Sequence, residues 1–177
     1  MLLHADGVTK RFGGLTAVSR FTLDVDAGEI VGLIGPNGAG KTTVFHLLSG
    51  FHAPTQGAIH FKGVSVVGVR PHAICRRGLA RTFQIVQPFV NLTVLENVMI
   101  GAFNRTDEVA AARRRALEVL EFVGLAARRD APARELTLPD RKRLAVARGL
   151  ATGPELLLLD EVMSGLTPTE IEAIIAL

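Results

Sequence analysis

Phe21, Leu23 and Val25 interleave with Thr22, Asp24 and Asp26, the two-residue period of a half-buried strand. The turn Ala27-Gly28 ends that pattern. Ile30-Val31-Gly32-Leu33-Ile34 follows as an unbroken apolar run and predicts a strand covered on both faces. It stops at a glycine-rich stretch over residues 35–40. A helix is expected from Lys41, with Val44, Leu47 and Leu48 on one face and Gly50 as its stop. Residues 58–61 and 64–67, on either side of Gly63, read as a hairpin. Pro71 opens a short helix that ends near Gly78, and residues 79–84 form a brief strand.

Beyond residue 87 the period lengthens to that of helices. Thr93 and Glu96 have the spacing of a capping box. Residues 107–123 predict an amphipathic helix with Val109, Leu117, Leu120 and Val123 inward and Arg113-Arg114-Arg115 outward, closed by Gly124. Another helix begins at Thr137 and runs through Leu144, Ala147 and Leu150 to Gly153. Leu156-Leu157-Leu158-Leu159 then predicts a fully buried strand ending in Asp160-Glu161. Thr167-Pro168-Thr169-Glu170 opens a last helix, and the sequence stops at Leu177 soon after it has begun.

Composition narrows the class. The 177 residues are 48% hydrophobic and 21% charged, which excludes a disordered chain. A formal charge of +3 is too small for a nucleic-acid footprint. The single cysteine, Cys75, excludes an internal disulfide framework and fits a reducing compartment. No stretch reaches the roughly 18 apolar residues of a membrane helix, and the N-terminus lacks the pattern of a secretory signal. The Arg113-Arg114-Arg115 run reads as a solvated helix face.

The chemistry concentrates in two places. Gly35-Pro36-Asn37-Gly38-Ala39-Gly40-Lys41-Thr42 matches G-x-x-x-x-G-K-[ST] in full, between an apolar run and a helix as that motif requires. Glycines let backbone N–H groups converge on phosphate oxygens, and the helix N-terminus adds about half a positive charge. Lys41 is expected to reach the β- and γ-phosphates, the Thr42 hydroxyl to ligate Mg²⁺, and Thr43 to add a contact near the α-phosphate. Far along the chain, Asp160 at a strand end would hold Mg²⁺ through water, and Glu161 would polarise an attacking water as general base. Gln84 could ligate Mg²⁺ or position water, or simply be an exposed strand-end residue. Phe12 could stack on adenine, or be an ordinary aromatic on an edge strand.

Taken in order, Phe12, the loop from Gly35 to Thr43, Gln84, residues 137–140, Asp160-Glu161 and Ser164-Gly165-Leu166 resemble the ATP-binding subunit of ABC transporters over essentially the whole chain. More narrowly, Arg11-Phe12-Gly13-Gly14-Leu15, Leu48-Ser49-Gly50-Phe51 and Gly78-Leu79-Ala80-Arg81-Thr82-Phe83-Gln84 are similar to the branched-chain amino-acid importer subfamily. The resemblance implies an α/β fold: a P-loop core with a RecA-like parallel sheet, an N-terminal antiparallel β subdomain and an inserted helical subdomain. Residues 1–86 and 153–177 would form the core with its β subdomain, and residues 87–152 the helical subdomain. It further implies ATP and Mg²⁺, a head-to-tail dimer with a second ATPase subunit, two membrane permeases, a substrate-binding protein, and a peripheral place on the cytoplasmic face of the plasma membrane. Phe12 would then stack on adenine, Gln84 would sense the γ-phosphate and couple to the permease, and Thr137 would belong to the signature facing ATP across the dimer.

Three departures from the family pattern stand out. The usual signature L-S-G-G-Q is replaced by Leu136-Thr137-Leu138-Pro139-Asp140, which loses both glycines and gains a negative charge. Val162 and Thr167 replace the usual proline and aspartate after the glutamate. The family's switch histidine would lie about one strand beyond Leu177. A chain ending there is expected to hydrolyse ATP poorly, so a nucleotide-binding but hydrolysis-deficient module is the alternative expectation.

Overall fold

The computed structural model describes residues 1–82 and 87–160. Two compact units divide the chain, Met1–Leu79 and Ala80–Leu177.

The first unit is built on a four-stranded antiparallel sheet. Strands β1 (Leu3–Phe12), β2 (Leu15–Val25), β3 (Gln56–Phe61) and β4 (Val64–Ser65) lie in the order β2-β1-β3-β4. In β2 the alternation read from sequence holds: Val25 is buried, Phe21 and Leu23 are half-buried, and Thr22 and Asp24 are exposed. Register sets Leu3 opposite both Val25 and Phe61, so apolar side chains gather on one face. Lys62 and Gly63 both take positive φ in the tight turn between β3 and β4, as a right-twisted hairpin requires. Helix α1 (Lys41–Leu48) buries Val44, Leu47 and Leu48, the predicted face, and α2 (Pro71–Arg76) carries its proline in the first turn.

Residues 30–34 depart from expectation. They form no strand, Ile30 is 99% exposed and Ile34 is 94% exposed. An apolar run becomes a doubly covered strand only when neighbours pair with it. Among the described residues no strand does so.

Strand β5 (Leu79–Arg81) pairs with β6 (Leu156–Leu158) in a two-stranded sheet. Among its described residues the second unit also contains α3 (Val94–Ala102), α4 (Val109–Phe122) and α5 (Leu138–Ala151), with two short 3-10 turns, Ala126–Arg128 and Ala133–Glu135, between α4 and α5. Their shared core includes Val94, Val98, Ala116, Leu120, Val123 and Leu144. Gly101 permits the close approach of α3 to α5, since a Cβ there would lie 2.4 Å from the Arg148 carbonyl oxygen. The capping box of Thr93 and Glu96 forms at the head of α3 as predicted.

Two burial expectations fail. Val109 is exposed, because the inward stripe of α4 is made by Ala112 and Ala116 together with Val119 and Leu120. The run 156–159 is not fully buried: Leu156 and Leu157 are half-buried and Leu159 is 47% exposed. Among the described residues β6 has one neighbouring strand, β5, which covers one edge only.

Candidate functional site

In the first unit, residues 35–40 form an irregular loop that leads into α1. Gly40 sits at the helix N-cap with φ +87°, a conformation L side chains rarely adopt. A Cβ there would also lie 2.4 Å from the Ala17 carbonyl oxygen. Glycine is therefore required twice over, by φ and by space. No side chain caps the first turn of α1, and that turn contains no acidic residue. Its N–H groups and positive dipole end thus remain available to an anion. The Lys41 ammonium folds back over the loop, donating to the carbonyls of Gly35 at 2.6 Å and Pro36 at 2.8 Å. Carbonyls leave its charge unneutralised. Thr42 and Thr43 follow in the same turn, both half-buried.

Phe12 ends β1, which has neighbours on both sides, so it does not lie on an edge strand. The residue is 43% exposed. The Lys10 ammonium lies 5.0 Å from its ring centroid, and the His52 ring meets it in a T-shaped arrangement at 5.3 Å. Phe12, Lys41 and the loop from Gly35 to Thr43 all belong to the first unit.

In the second unit, Asp160 follows β6 and is 5% exposed. Its Oδ2 accepts from Arg81 Nη2 at 2.7 Å, a pair in which both side chains are buried. The Asp160 amide donates to Thr82 Oγ1 at 3.2 Å, which fixes the strand end. Thr137 is the N-cap of α5; its Oγ1 accepts from the Asp140 amide at 3.4 Å. Asp140 lies 3.7 Å from Arg143, and Arg141 donates to the carbonyls of Leu136 and Arg134. Gln84 and Glu161 lie outside the described residues, as do residues 164–167.

Residues 18–164 match the sequence family described as ABC transporter. The chain belongs to that family. Its members are ATP-hydrolysing transport subunits that bind nucleotide. The chain is 42% identical to the high-affinity branched-chain amino acid transport ATP-binding protein LivG of Salmonella typhimurium, over 96% of this chain and 72% of that protein. It is 39% identical to BraF of Pseudomonas aeruginosa, over 99% of this chain and 75% of that protein. A nucleotide-free ATP-binding cassette from an ABC transporter superposes with a TM-score of 0.88 at 28% identity, covering 99% of this chain and 74% of that one. A dimeric cassette in a post-hydrolysis state, bound to ADP and Pi, gives 0.87 at 25% identity, covering 99% and 80%. The fold is thus the α/β cassette of ABC ATPases, with antiparallel and parallel sheets and helices.

Within an ABC cassette, several residues to which sequence reasoning gave no role become visible. Arg81 lies in the stretch that led to Gln84, but its partner Asp160 is 79 positions away and no local pattern links them. Asn97 is fully buried; its side chain accepts from the Phe89 amide at 2.9 Å and donates to the carbonyls of Phe89 and Thr93. It thereby pins the segment that follows residue 87. Arg148 reinforces this anchor, donating to the Gln87 carbonyl at 3.0 Å and lying 4.9 Å from the Phe89 ring centroid. Burial among these groups lowers the guanidinium's pKa. The sequence signal for this anchor is weak, an asparagine in the first turns of a helix whose burial only the fold reveals. Beside this anchor Phe89 and Val90 are exposed and Leu92 is half-buried; in the first unit Phe51 is exposed.

Proposed function

We propose that this chain is the ATP-binding and ATP-hydrolysing subunit of an ABC importer for branched-chain or chemically related amino acids. The backbone of Gly35, Pro36, Asn37, Gly38, Ala39 and Gly40 cradles the phosphates, Lys41 neutralises the β- and γ-groups, and Thr43 contacts the α-phosphate. Phe12 stacks on the adenine, and Glu161 draws a proton from the attacking water while Gln84 positions it. Residues 1–86 and 153–177 act as the nucleotide core, and residues 87–152 as the helical subdomain that bears Thr137 toward a second ATPase subunit. Two permeases and a substrate-binding protein complete the assembly, at the cytoplasmic face of the plasma membrane. None of the helices among the described residues is long and apolar enough to cross a membrane, in keeping with a peripheral subunit.

The donor set suits Mg²⁺. The Thr42 hydroxyl, the Gln84 side chain and the Asp160 carboxylate are hard oxygen ligands, few enough to leave the remaining positions to water and phosphate. Once bound, the cation would offset charge on the β- and γ-phosphates. Arg81 engages one Asp160 oxygen and holds that carboxylate oriented.

One observation carries the reading: an ammonium over backbone carbonyls at the head of an uncapped helix with no acid in its first turn. Calorimetric titration of Mg-ATP into the chain tests it. Binding should be measurable and should fall at least about 100-fold in Lys41→Ala, as expected when the cation facing two phosphates is lost. Unchanged affinity in the variant would overturn the assignment. Restored leucine uptake, in cells whose own importer ATPase has been deleted, would test the cargo.

A second reading, binding without efficient hydrolysis, draws on α5. Its N-terminus is already capped by Thr137 and carries Asp140, a charge that repels the γ-phosphate it would face. Turnover by the assembled transporter separates the two.

A further inference from the structure

The surroundings of Phe12 in the first unit contain a histidine with no assigned role. Lys10 and Phe12 are alternate residues of β1 and so share a face. The Lys10 ammonium lies over the Phe12 ring and also donates to the Ala53 carbonyl at 2.8 Å, which ties strand to loop. His52, one residue earlier in that loop, meets Phe12 with an interplanar angle of 76°. His52 in turn meets His46, in the last turn of α1, at 5.1 Å and 87°.

The backbone explains why His52 returns there. Helix α1 ends in a Schellman motif: the Gly50 amide donates to the Leu47 carbonyl at 3.3 Å and the Phe51 amide to the His46 carbonyl at 2.9 Å. The His52 amide donates to that same carbonyl at 3.2 Å. Gly50 makes the turn at φ +77°, where a Cβ would lie 2.5 Å from the Val69 carbonyl oxygen. The helix that begins at the phosphate loop therefore ends by fixing the imidazole against Phe12.

We infer that His52 is a positioning residue for the nucleotide base: it holds the Phe12 ring in its stacking orientation and couples that platform to α1. This inference rests on Phe12 being the base platform. An aromatic ring fixed before binding loses less conformational freedom when the base arrives. A stacking surface tolerates any purine, so His52 raises affinity for purine nucleotides as a class and leaves the phosphate subsite unchanged.

Binding of ATP, GTP and base-free tripolyphosphate, each with Mg²⁺, tests this in the full chain and in His52→Ala, His52→Phe, Phe12→Ala and the double alanine variant. His52→Ala should weaken both nucleotides roughly 3- to 10-fold, the scale of an edge-to-face aromatic pair. Tripolyphosphate affinity should not change, which also shows that the loop remains folded. His52→Phe should restore nucleotide affinity, and the double variant should be no weaker than Phe12→Ala alone. If Phe12→Ala weakens ATP but His52→Ala does not, or if the two losses add, the positioning role is refuted. If Phe12→Ala leaves ATP binding unchanged, the platform itself fails and the role of His52 goes with it.

Discussion

Helix α1 is entered from Gly40, with no side-chain cap and no acid in its first turn; α5 is entered from Thr137, whose hydroxyl caps the Asp140 amide, with an acid already in place. Both are helix N-termini with the same macrodipole. In α1 the sequence leaves that potential unmet and adds an ammonium held only by neutral carbonyls. In α5 it meets the potential from within the chain. The same contrast separates Lys41 from Asp160, whose carboxylate is matched by a buried guanidinium at 2.7 Å. The first unit presents uncompensated positive character to a ligand. In the second unit Asp140 and Asp160 already have charged partners, Arg143 and Arg81. Anion binding therefore depends on what a loop withholds from its helix as much as on what it supplies.

Breaking the compensated side should have the largest effect. Arg81 and Asp160 have side chains 4% and 5% exposed. Removing Arg81 takes away the guanidinium that the buried Asp160 carboxylate faces, and breaking a buried ion pair in this way typically costs about 3–5 kcal/mol. Arg81→Met should lower unfolding stability by that order in urea titrations. The loss should shrink in an Arg81→Met, Asp160→Asn double variant. A single variant as stable as the parent would mean that Asp160 is satisfied elsewhere, and the contrast with Lys41 would weaken.

A smaller effect is expected at α5. Asp140→Asn keeps the size of the side chain and one acceptor oxygen and removes the charge at the helix N-terminus. Stability should fall by about 0.3–1 kcal/mol, the scale of one acid on a helix dipole. ATP-dependent dimerisation should strengthen a few-fold, because less negative charge would face the γ-phosphate. Sedimentation with Mg-ATP measures this. Dimerisation unchanged or weakened would place Asp140 away from any nucleotide.

What was legible in the sequence was what neighbours in sequence decide. The glycine-rich loop that leads into α1, the N-caps Thr93 and Thr137 and the Gly50 stop follow from backbone stereochemistry over five or six positions, and these local features lie where they were expected. Burial was less legible. The run 30–34 has the composition of a covered strand, yet covering is done by strands distant in sequence, and Ile30 stands in water. Val109 departs from its expected burial for a related reason. Size alone does not mark the inward face of α4, whose buried stripe in the shared helical core includes the small Ala112 and Ala116. The pairings of Arg81 with Asp160 and of His52 with Phe12 join residues far apart in the chain, so neither leaves a local pattern.

The third N-terminus, that of α3, offers the finest test of whether compensation from within the chain is the rule in the second unit. Thr93 Oγ1 accepts from the Glu96 amide at 3.1 Å, and Glu96 Oε2 accepts from the Thr93 amide at 2.7 Å and from its hydroxyl at 2.9 Å. The backbone bond to Thr93, followed by its side-chain bond, holds the Glu96 carboxyl below its ordinary value of 4.5. A carboxyl with a depressed folded-state pKa stabilises the fold above its unfolded value, and that contribution is lost as pH falls through the folded one. Glu96→Gln keeps an acceptor for the box and loses the charge. The variant should therefore melt slightly below the parent at pH 7, and the gap should close as pH drops beneath about 4.5. A gap that stays constant down to pH 3 would mean that the ionised carboxylate contributes nothing beyond its hydrogen-bonding shape. The caps of α3 and α5 would then differ from the head of α1 in geometry alone.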